Sequence, residues 1–470
     1  MRAGGAAIRY HAGMLNQDDF NTGLLAYLDA SPTPFHAVAS ACSALKSAGF
    51  AELHEGACWD VKPGGRHYVI RNDSSIVAFI AGTEAPAEAG VRLIGAHTDS
   101  PNLRLKPNPL KKAHGYLQFA VEVYGGALLN PWFDRDLSIA GRVTVRQADG
   151  ALSHRLINVG RPVATIPSLA IHLDREANNG RSINAQTMLP PVVSLAVDRE
   201  TQGEASGGET APLGHQFRQL LTEWLGRDEA TGERLAPEQI LDFELSLYDT
   251  QTARLVGLNG SFIASARIDN LLSCYVGLQA LLAEADDAHR FTRMLVLNDH
   301  EEVGSGSTSG ARGNFLESVL ERLSGSSEAY GRMAARSFFL STDNGHAIHP
   351  NFSDRHEPGH APLINAGPAL KVNSNQAYAS SGETLAITRE LAHRVDVPLQ
   401  VFVTRSDLGC GSTIGPLTAT RLGLRTVDVG VPTFAMHSIR ELAGCNDAHQ
   451  LYRLGLGLYA IPDIGVVPAC

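Results

Sequence analysis

Side chains that commonly bind divalent metal ions follow several apolar runs of this sequence. The runs are VRLIGA, RMLVLND, SFFLST and TVDVGVP, and the side chains are, in that order, His97, the Glu301 and Glu302 pair, Asp343 and His437. Because ligands of open α/β sheets bind at the carboxyl ends of the strands, these positions predict one shared site. A fifth candidate, Asp269, begins the apolar helical stretch LLSCYVGLQALL, where a helix N-terminus favours negative charge.

This set of imidazoles and carboxylates, without cysteine, is typical of a hydrolytic zinc, manganese or cobalt site. Two ions about 3.5–4 Å apart need one bridging carboxylate, and Asp269 is the natural bridge. Glu301 and Glu302 are adjacent, so their side chains would point to opposite sides of an extended segment. We predict that Glu302 binds metal and that Glu301 is the general base. Asp99, two residues after His97, could accept the second imidazole N–H of that histidine.

Each of these residues also has an ordinary structural interpretation. Asp269 alone would more often be a helix N-cap, and Asp343 alone a turn residue. A pair of glutamates usually lies on a solvated face. The coincidence of such residues at successive strand ends favours a metal-dependent hydrolase over these separate explanations.

Composition and charge restrict the classes of protein that remain. The 470 residues are enough for two or three domains, and 44% hydrophobic with 19% charged residues is typical of a packed globule. Lys and Arg total 39 against 49 Asp and Glu, a formal charge of −10, which argues against nucleic-acid and anionic-membrane partners. The sequence contains no run of about 18 apolar residues, and its six cysteines form no Cys-x-x-Cys pair. We therefore predict a cytoplasmic protein.

The elements that must position the metal ligands follow from hydrophobic periodicity. Two helices are predicted before residue 50, followed by the short buried strands YVIRND, IVAFIAG and VRLIGAHTD. From about residue 104 to 255, strands alternate with close turns such as Asp149-Gly150, which predicts a β-rich insertion. Helices and strands alternate again afterwards, which predicts an α/β fold with a helix-covered mixed β-sheet. The predicted boundaries are a catalytic domain, first part, over 14–104, the β-rich domain over 105–255 and the second part of the catalytic domain over 256–470.

Two further motifs could suggest a nucleotide-binding loop or a serine nucleophile, but neither matches such a site. GSGSTSG at 304–310 is a poor match to a dinucleotide fingerprint, and it follows two glutamates whose charges would repel phosphates. Ser412 in GCGSTIGP does not form a nucleophile elbow. We expect the second segment to be a structural glycine-rich loop that lines the site.

A longer set of motifs resembles the aspartyl aminopeptidase family of cocatalytic zinc metallopeptidases. The motifs are GAHTDSP, GGALLNPWFDRDLSIAGRV, SARIDNLLS, NDHEEVGS, DNGHAIHPN, GPALKVNSNQ, SDLGCGSTIGP and MHSIRE, and the resemblance runs from about Leu15 to about Ile464. It implies that two zinc ions per subunit are bound, with Mn²⁺ or Co²⁺ as substitutes. The implied ligands are His97, Asp269 as the bridge, Glu302, Asp343 and His437, with Glu301 as base and Asp99 supporting His97.

The resemblance also implies an assembly and a substrate. In this family the β-rich insertion is a dimerisation domain, and dimers build a homo-oligomeric dodecamer. His172 in IPSLAIHLDR corresponds to a histidine that reaches the active site of a neighbouring subunit, although Ser168 stands where the family often has histidine. His346 and Lys371 match residues that contact substrate, and a lysine is a suitable partner for an acidic side chain.

These observations lead to one functional prediction and its alternatives. We predict a metal-dependent aminopeptidase that removes N-terminal Asp or Glu from peptides by means of a water activated by two metal ions. A deacylase or carboxypeptidase on the same scaffold would differ in the substrate terminus that is recognised. A non-catalytic oligomeric scaffold is the alternative from another class, and the presence of every expected ligand argues against it.

Overall fold

The computed structural model describes residues 14–196, 212–227, 232, 234–285 and 288–461. These residues form two compact units. The first unit consists of the described residues of Met1–Ser100, Ala253–Met436 and Glu441–Cys470. The second unit consists of those of Pro101–Thr252 together with His437–Arg440.

The helices of the described residues, in chain order, are α1 (Gln17–Ala30), α2 (Pro34–Ser47), α3 (Pro86–Ala89), α4 (Ala185–Met188), α5 (Leu213–Leu225), α6 (Ile268–Ala283), α7 (Phe315–Ser324), α8 (Ser327–Arg336), α9 (Gly382–Arg394), α10 (Ile414–Leu422) and α11 (Cys445–Ala460). The two predicted N-terminal helices are present as α1 and α2. Pro34 is the first residue of α2, a position where the fixed φ of proline suits a helix start and its missing N–H costs nothing.

The strands are β1 (Ala51–Glu52), β2 (Arg66–Arg71), β3 (Ser75–Ile80), β4 (Val91–His97), β5 (Asn102–Ala113), β6 (Tyr116–Tyr124), β7 (Leu137–Arg146), β8 (Leu152–Asn158), β9 (Val192–Leu195), β10 (Ile240–Asp249), β11 (Arg254–Val256), β12 (Phe262–Ser265), β13 (Thr292–Asn298), β14 (Phe338–Thr342), β15 (Gly345–His346), β16 (Ala369–Val372), β17 (Gln400–Val403), β18 (Arg425–Gly430), β19 (Pro432–Phe434) and β20 (Glu441–Gly444).

A nine-stranded mixed sheet is the centre of the first unit. Its strand order is β1-β2-β3-β13-β4-β14-β18-β16-β17, and the neighbours β13, β4, β14 and β18 run parallel to one another. Successive residues of β4 face opposite sides of the sheet. Ile94 packs into a core with α6 and α11, and Leu93 into a core with α7 and α8. This two-sided burial explains the continuous apolar runs and confirms the predicted helix-covered mixed sheet.

The second unit contains a six-stranded antiparallel sheet in the order β8-β7-β10-β5-β6-β9. One face packs against α5, where Phe217 and Leu221 are buried together with Phe119 of β6. The hairpin predicted at Asp149-Gly150 joins β7 to β8, and Gly150 adopts a φ of 87° that suits glycine at this turn.

A smaller five-stranded sheet in the first unit, β11-β12-β20-β19-β15, did not follow from the sequence. Its strands have two to four residues, too few for a periodic pattern to distinguish them from loops. Within the described ranges, no helix combines the length and the apolar character needed to cross a membrane. Five cysteines in the same ranges are free thiols, namely Cys42, Cys58, Cys274, Cys410 and Cys445.

Candidate active site

Three neighbouring parallel strands bring candidate metal ligands to one edge of the large sheet. β4 ends at His97, which lies opposite Asn298, the last residue of β13. Glu301 and Glu302 follow β13, and Asp343 follows β14 on the other side of β4. Because parallel strands end at the same edge, residues separated by some two hundred positions in the chain come together.

The ligand atoms of His97, Asp269 and Glu302 lie within 4.8 Å of one another. His97 Nε2 is 3.6 Å from Asp269 Oδ1, 3.7 Å from Asp343 Oδ1 and 4.0 Å from Glu301 Oε2. Two ligands bound at about 2.1 Å to a tetrahedral zinc ion would be about 3.4 Å apart. The spacing of these side chains therefore fits a bound zinc ion.

The second nitrogen of His97 orients the ring. Nδ1 is 3.0 Å from the backbone oxygen of Asp99 and 3.3 Å from its Oδ1. Two acceptors at this nitrogen indicate that Nδ1 has a hydrogen atom and that Nε2 is the nitrogen that faces the carboxylates and would bind a metal ion. His97 is 1% exposed, so this orientation is held by packing as well.

Asp99 also holds the turn that contains the two glutamates. The Glu301 N–H donates to Asp99 Oδ1 at 3.0 Å, and the Glu302 N–H donates to Oδ2 at 3.0 Å. The turn is a 3₁₀ helix over Glu301–Val303, entered through His300 with a φ of 62°. The sequence analysis expected an extended segment here, and that expectation is wrong. The adjacent glutamates instead lie in a tight turn whose N–H groups form hydrogen bonds to the buried carboxylate of Asp99.

Hydrogen bonds to the backbone of Asp269 hold this residue in the first turn of α6. Its N–H donates to Glu441 Oε2 at 2.9 Å, and its carbonyl accepts a hydrogen bond from Ser100 Oγ at 2.7 Å. Asn270, which follows a cis peptide bond, donates from Nδ2 to the carbonyl of Thr342 at 2.8 Å. Sequence reasoning missed the positioning contact from Glu441, although this residue lies in the MHSIRE motif.

The electrostatics of the cluster indicate a shortage of positive charge. Burial raises the pKa of Glu301 to about 7. The charge of His97 lowers this pKa, and those of Asp343, Asp99 and Asp269 raise it. Burial also raises the pKa of Glu302 well above its usual value, and Asp269 adds to this effect. A divalent cation would favour the ionised carboxylates, since opposite charge lowers their pKa. The donor set and its charge therefore both suit zinc.

Lys371 lies beside this cluster. It belongs to β16, is 3% exposed, and places Nζ 3.5 Å from Asp343 Oδ2. The same ammonium group lies 5.4 Å from the centre of the Tyr378 ring. His346, at the end of β15, is exposed and packs edge-to-face against Phe402 at 5.7 Å. Phe402 is the partner of Lys371 in the pairing of β16 with β17.

The two remaining candidates belong to the second unit. His172 is exposed and lies in a turn. His437 is half-buried with a φ of 68°, and its Nδ1 is 3.2 Å from the carbonyl oxygen of Gly126. Their roles as substrate contact and metal ligand stay predictions. The residues that the first unit brings together are His97, Asp99, Asp269, Glu301, Glu302, Asp343 and Lys371.

A buried imidazole and carboxylate cluster at the carboxyl edge of a helix-covered mixed sheet defines a metal-dependent hydrolase of the α/β class. The model of the family described as "Aminopeptidase I zinc metalloprotease (M18)" matches residues 27–459. The chain belongs to this family of zinc metalloprotease aminopeptidases. The family resemblance found in the sequence is confirmed. An aminopeptidase family does not support the scaffold, deacylase and carboxypeptidase alternatives.

Individual relatives agree with this assignment over almost the whole chain. The "Probable M18 family aminopeptidase 2" of Azotobacter vinelandii is 54% identical over 444 residues, which cover 94% of this chain and 99% of the relative. A chain in the cryo-EM structure of the Ape4 and Nbr1 complex matches with a TM-score of 0.88 and 39% identity, covering 94% of this chain and 86% of that one. The S. cerevisiae mApe1 dodecamer matches with a TM-score of 0.79 and 29% identity, over 95% and 97% of the two chains.

Proposed function

We propose that this aminopeptidase uses two metal ions and releases N-terminal Asp or Glu from peptides. The observation that best supports the acidic specificity is Lys371, a buried cation 3.5 Å from Asp343 at the edge of the cluster. A buried ammonium group is a favourable partner for a substrate carboxylate, because charge-assisted hydrogen bonds are strong where water is excluded.

The residues proposed to hold two zinc ions are His97, Asp269 as the bridge, Glu302, Asp343 and His437. Mn²⁺ or Co²⁺ would be substitutes, since the same oxygen and nitrogen donors suit them. Zinc bound there would polarise the scissile carbonyl and lower the pKa of the attacking water.

Side chains of the protein would transfer the proton during the reaction. Glu301 would accept a proton from the attacking water at a carboxylate oxygen and donate it to the leaving amine. Asp99 would keep Glu301 in place, because its Oδ1 accepts a hydrogen bond from the Glu301 backbone N–H at 3.0 Å. Lys371 and His346 would contact the substrate, and His172 would do so from a neighbouring subunit.

The assembly that we propose is a homo-oligomeric dodecamer built from dimers through the β-rich second unit. The solved S. cerevisiae mApe1, which this chain matches over 95% of its length, is a dodecamer. His172 lies between exposed apolar side chains of Leu169, Ile171 and Leu173, and such a group often marks a protein interface. We also propose a cytoplasmic location, which the scattered cysteines support.

A panel of chromogenic substrates tests the proposed reaction. The panel contains the aminoacyl derivatives of Asp, Glu, Leu, Ala and Lys, together with N-acetyl-Asp. Each is assayed before chelation, after chelation, and after readdition of zinc, manganese or cobalt. We expect metal-restored cleavage of the Asp and Glu derivatives and no cleavage of N-acetyl-Asp. Preferential cleavage of Leu or Ala would contradict the acidic specificity while leaving the aminopeptidase chemistry intact.

A further inference from the structure

The carboxylate of Asp343 lies between the cluster of candidate metal ligands and a buried lysine. Its Oδ1 is 3.7 Å from His97 Nε2, and its Oδ2 is 3.5 Å from Lys371 Nζ. The Asp343 and Lys371 side chains are 10% and 3% exposed, so little water screens the pair. Asp343 therefore divides its negative charge between the cluster and the ammonium group.

The surroundings of Lys371 make Asp343 its main partner. Burial raises the pKa of a second buried carboxylate, that of Asp428, and Lys371 is close enough to offset part of this rise. The Asp428 oxygens, however, accept hydrogen bonds from the Ala379 N–H at 2.6 Å and from Thr413 Oγ1 at 2.7 Å. The Tyr378 ring stands 5.4 Å from Nζ and limits where the ammonium group can move.

We propose that Lys371 couples zinc affinity to the recognition of an acidic substrate side chain, because both interactions involve the Asp343 carboxylate. The Lys371 ammonium group is paired with the Asp343 carboxylate, so it repels a zinc dication bound to the same carboxylate and weakens zinc binding. A substrate carboxylate that pairs with Lys371 offsets this positive charge and so strengthens zinc binding. By thermodynamic reciprocity, zinc binding strengthens recognition of the acidic side chain by the same factor. The proposal rests on the proposed function for the identity of the second ligand.

The lysine half of the coupling is tested without any substrate. Zinc affinity of the full-length protein is measured after chelation by competition with a chromogenic chelator. We expect Lys371→Met to bind zinc about tenfold more tightly than the wild type. Lys371→Arg should keep the wild-type affinity because it keeps the charge. Lys62→Met is the matched control, since Lys62 is 73% exposed and pairs with the exposed Asp60.

The substrate half is tested on the wild type, so that it does not depend on the folding of a variant. Zinc affinity is measured with L-aspartate and with L-asparagine, two amino acids of the same shape whose side chains differ in charge. We expect aspartate to raise zinc affinity about fivefold more than asparagine does. In Lys371→Met the two amino acids should have equal effects.

The outcomes separate the coupling from the specificity. Unchanged or weaker zinc binding by a folded Lys371→Met variant overturns the coupling, because a purely structural lysine would not restrain metal affinity. Tighter zinc binding by the variant, with equal effects of aspartate and asparagine on the wild type, shows that Lys371 opposes zinc at Asp343 but overturns the coupling to an acidic side chain. That same result overturns acidic recognition by Lys371. If Lys371→Met does not fold, equal effects of the two amino acids on the wild type overturn the coupling.

Discussion

At the scale of single residues, Asp99 contacts three parts of the candidate site. It accepts the backbone N–H groups of Glu301 and Glu302 and lies against His97 Nδ1. It is completely buried. A short side chain with two acceptor oxygens is needed here, because both glutamate N–H groups point at it.

Asp99→Asn replaces one acceptor oxygen with an amide group that cannot accept a hydrogen bond. One glutamate N–H then faces a donor, so the turn shifts and the metal ligands separate. We expect zinc affinity and kcat to fall by about 10- to 100-fold. Chelator competition and steady-state kinetics measure the two effects. Asp60→Asn, at an exposed aspartate, should change neither. Wild-type values for Asp99→Asn would contradict the positioning role.

Glu301→Gln tests the proposed base directly. The amide keeps the size of the side chain but cannot accept the proton from water. We expect kcat to fall by about 10²- to 10⁴-fold while zinc content stays near that of the wild type. Activity assays and metal analysis of the purified variant check this expectation. Near-normal turnover with metal bound would show that another group is the base.

At the scale of elements, the segment GSGSTSG supports the turn of the two glutamates. Ser307 Oγ is 2.8 Å from His300 Nδ1 and accepts the Gly310 N–H at 2.9 Å. The Ser305 N–H donates to the carbonyl of His300 at 2.7 Å. These contacts give the glycine- and serine-rich loop after the glutamates a structural role.

Ser307→Ala removes the hydroxyl that joins His300 to Gly310. The free energy of unfolding should decrease by about 1 kcal/mol, the usual contribution of a hydrogen bond, because Ser307 is only partly buried. Denaturant titration measures this change. Ser47→Ala is the control, because Ser47 is exposed and donates only within its own helix. An equally small effect of both substitutions would mean that the loop does not depend on Ser307.

The first turn of α11 provides a pH-dependent prediction. Burial raises the pKa of Asp447 to about 6, although N–H groups of Asn365 and Gly367 lower it. A carboxyl whose folded pKa lies above its unfolded value stabilises the fold below the unfolded pKa. This contribution is lost as the pH rises through the folded pKa. The contribution of Asp447 to the free energy of unfolding is therefore lost between about pH 4 and about pH 6, and the loss amounts to about 3 kcal/mol.

Asp447→Asn should remove this dependence, because the amide does not titrate. The free energies of unfolding of the two proteins are compared at pH 4, 5, 6 and 7. We expect the advantage of the wild type over the variant to be largest at pH 4 and to shrink by about 3 kcal/mol by pH 7. A difference that is the same at every pH would contradict the proposed linkage.

At the scale of the whole molecule, the proposed assembly depends on an exposed apolar surface. Leu173 is 75% exposed beside His172. Leu173→Asp should weaken the association of subunits and lower activity together, because a charge at an apolar interface must be desolvated. Mass photometry and the substrate panel measure both effects. Leu258→Asp, at an exposed leucine of the first unit, is the control. A fully assembled and active Leu173→Asp variant would contradict this interface.

The extent of sequence-based prediction differs between the sheet and the site. Long apolar runs predicted β3, β4, β13 and β14 because strands buried on both faces have few polar residues. The five-stranded sheet was missed because its strands are too short to show a period. The sequence predicts an extended segment at Glu301, whereas the observed turn depends on Asp99, about two hundred residues earlier in the chain.

The sequence by itself determined the kinds of candidate ligand, the apolar runs that they follow and the family of the protein. These properties depend on residue types and on spacing along the chain. Only the tertiary structure decided that Asp99 fastens the two glutamates, that Glu441 fixes Asp269, and that Lys371 shares Asp343 with the cluster. The reason is physical. Hydrogen bonds and ion pairs act over a few ångströms, and strand register determines which distant residues come within that range.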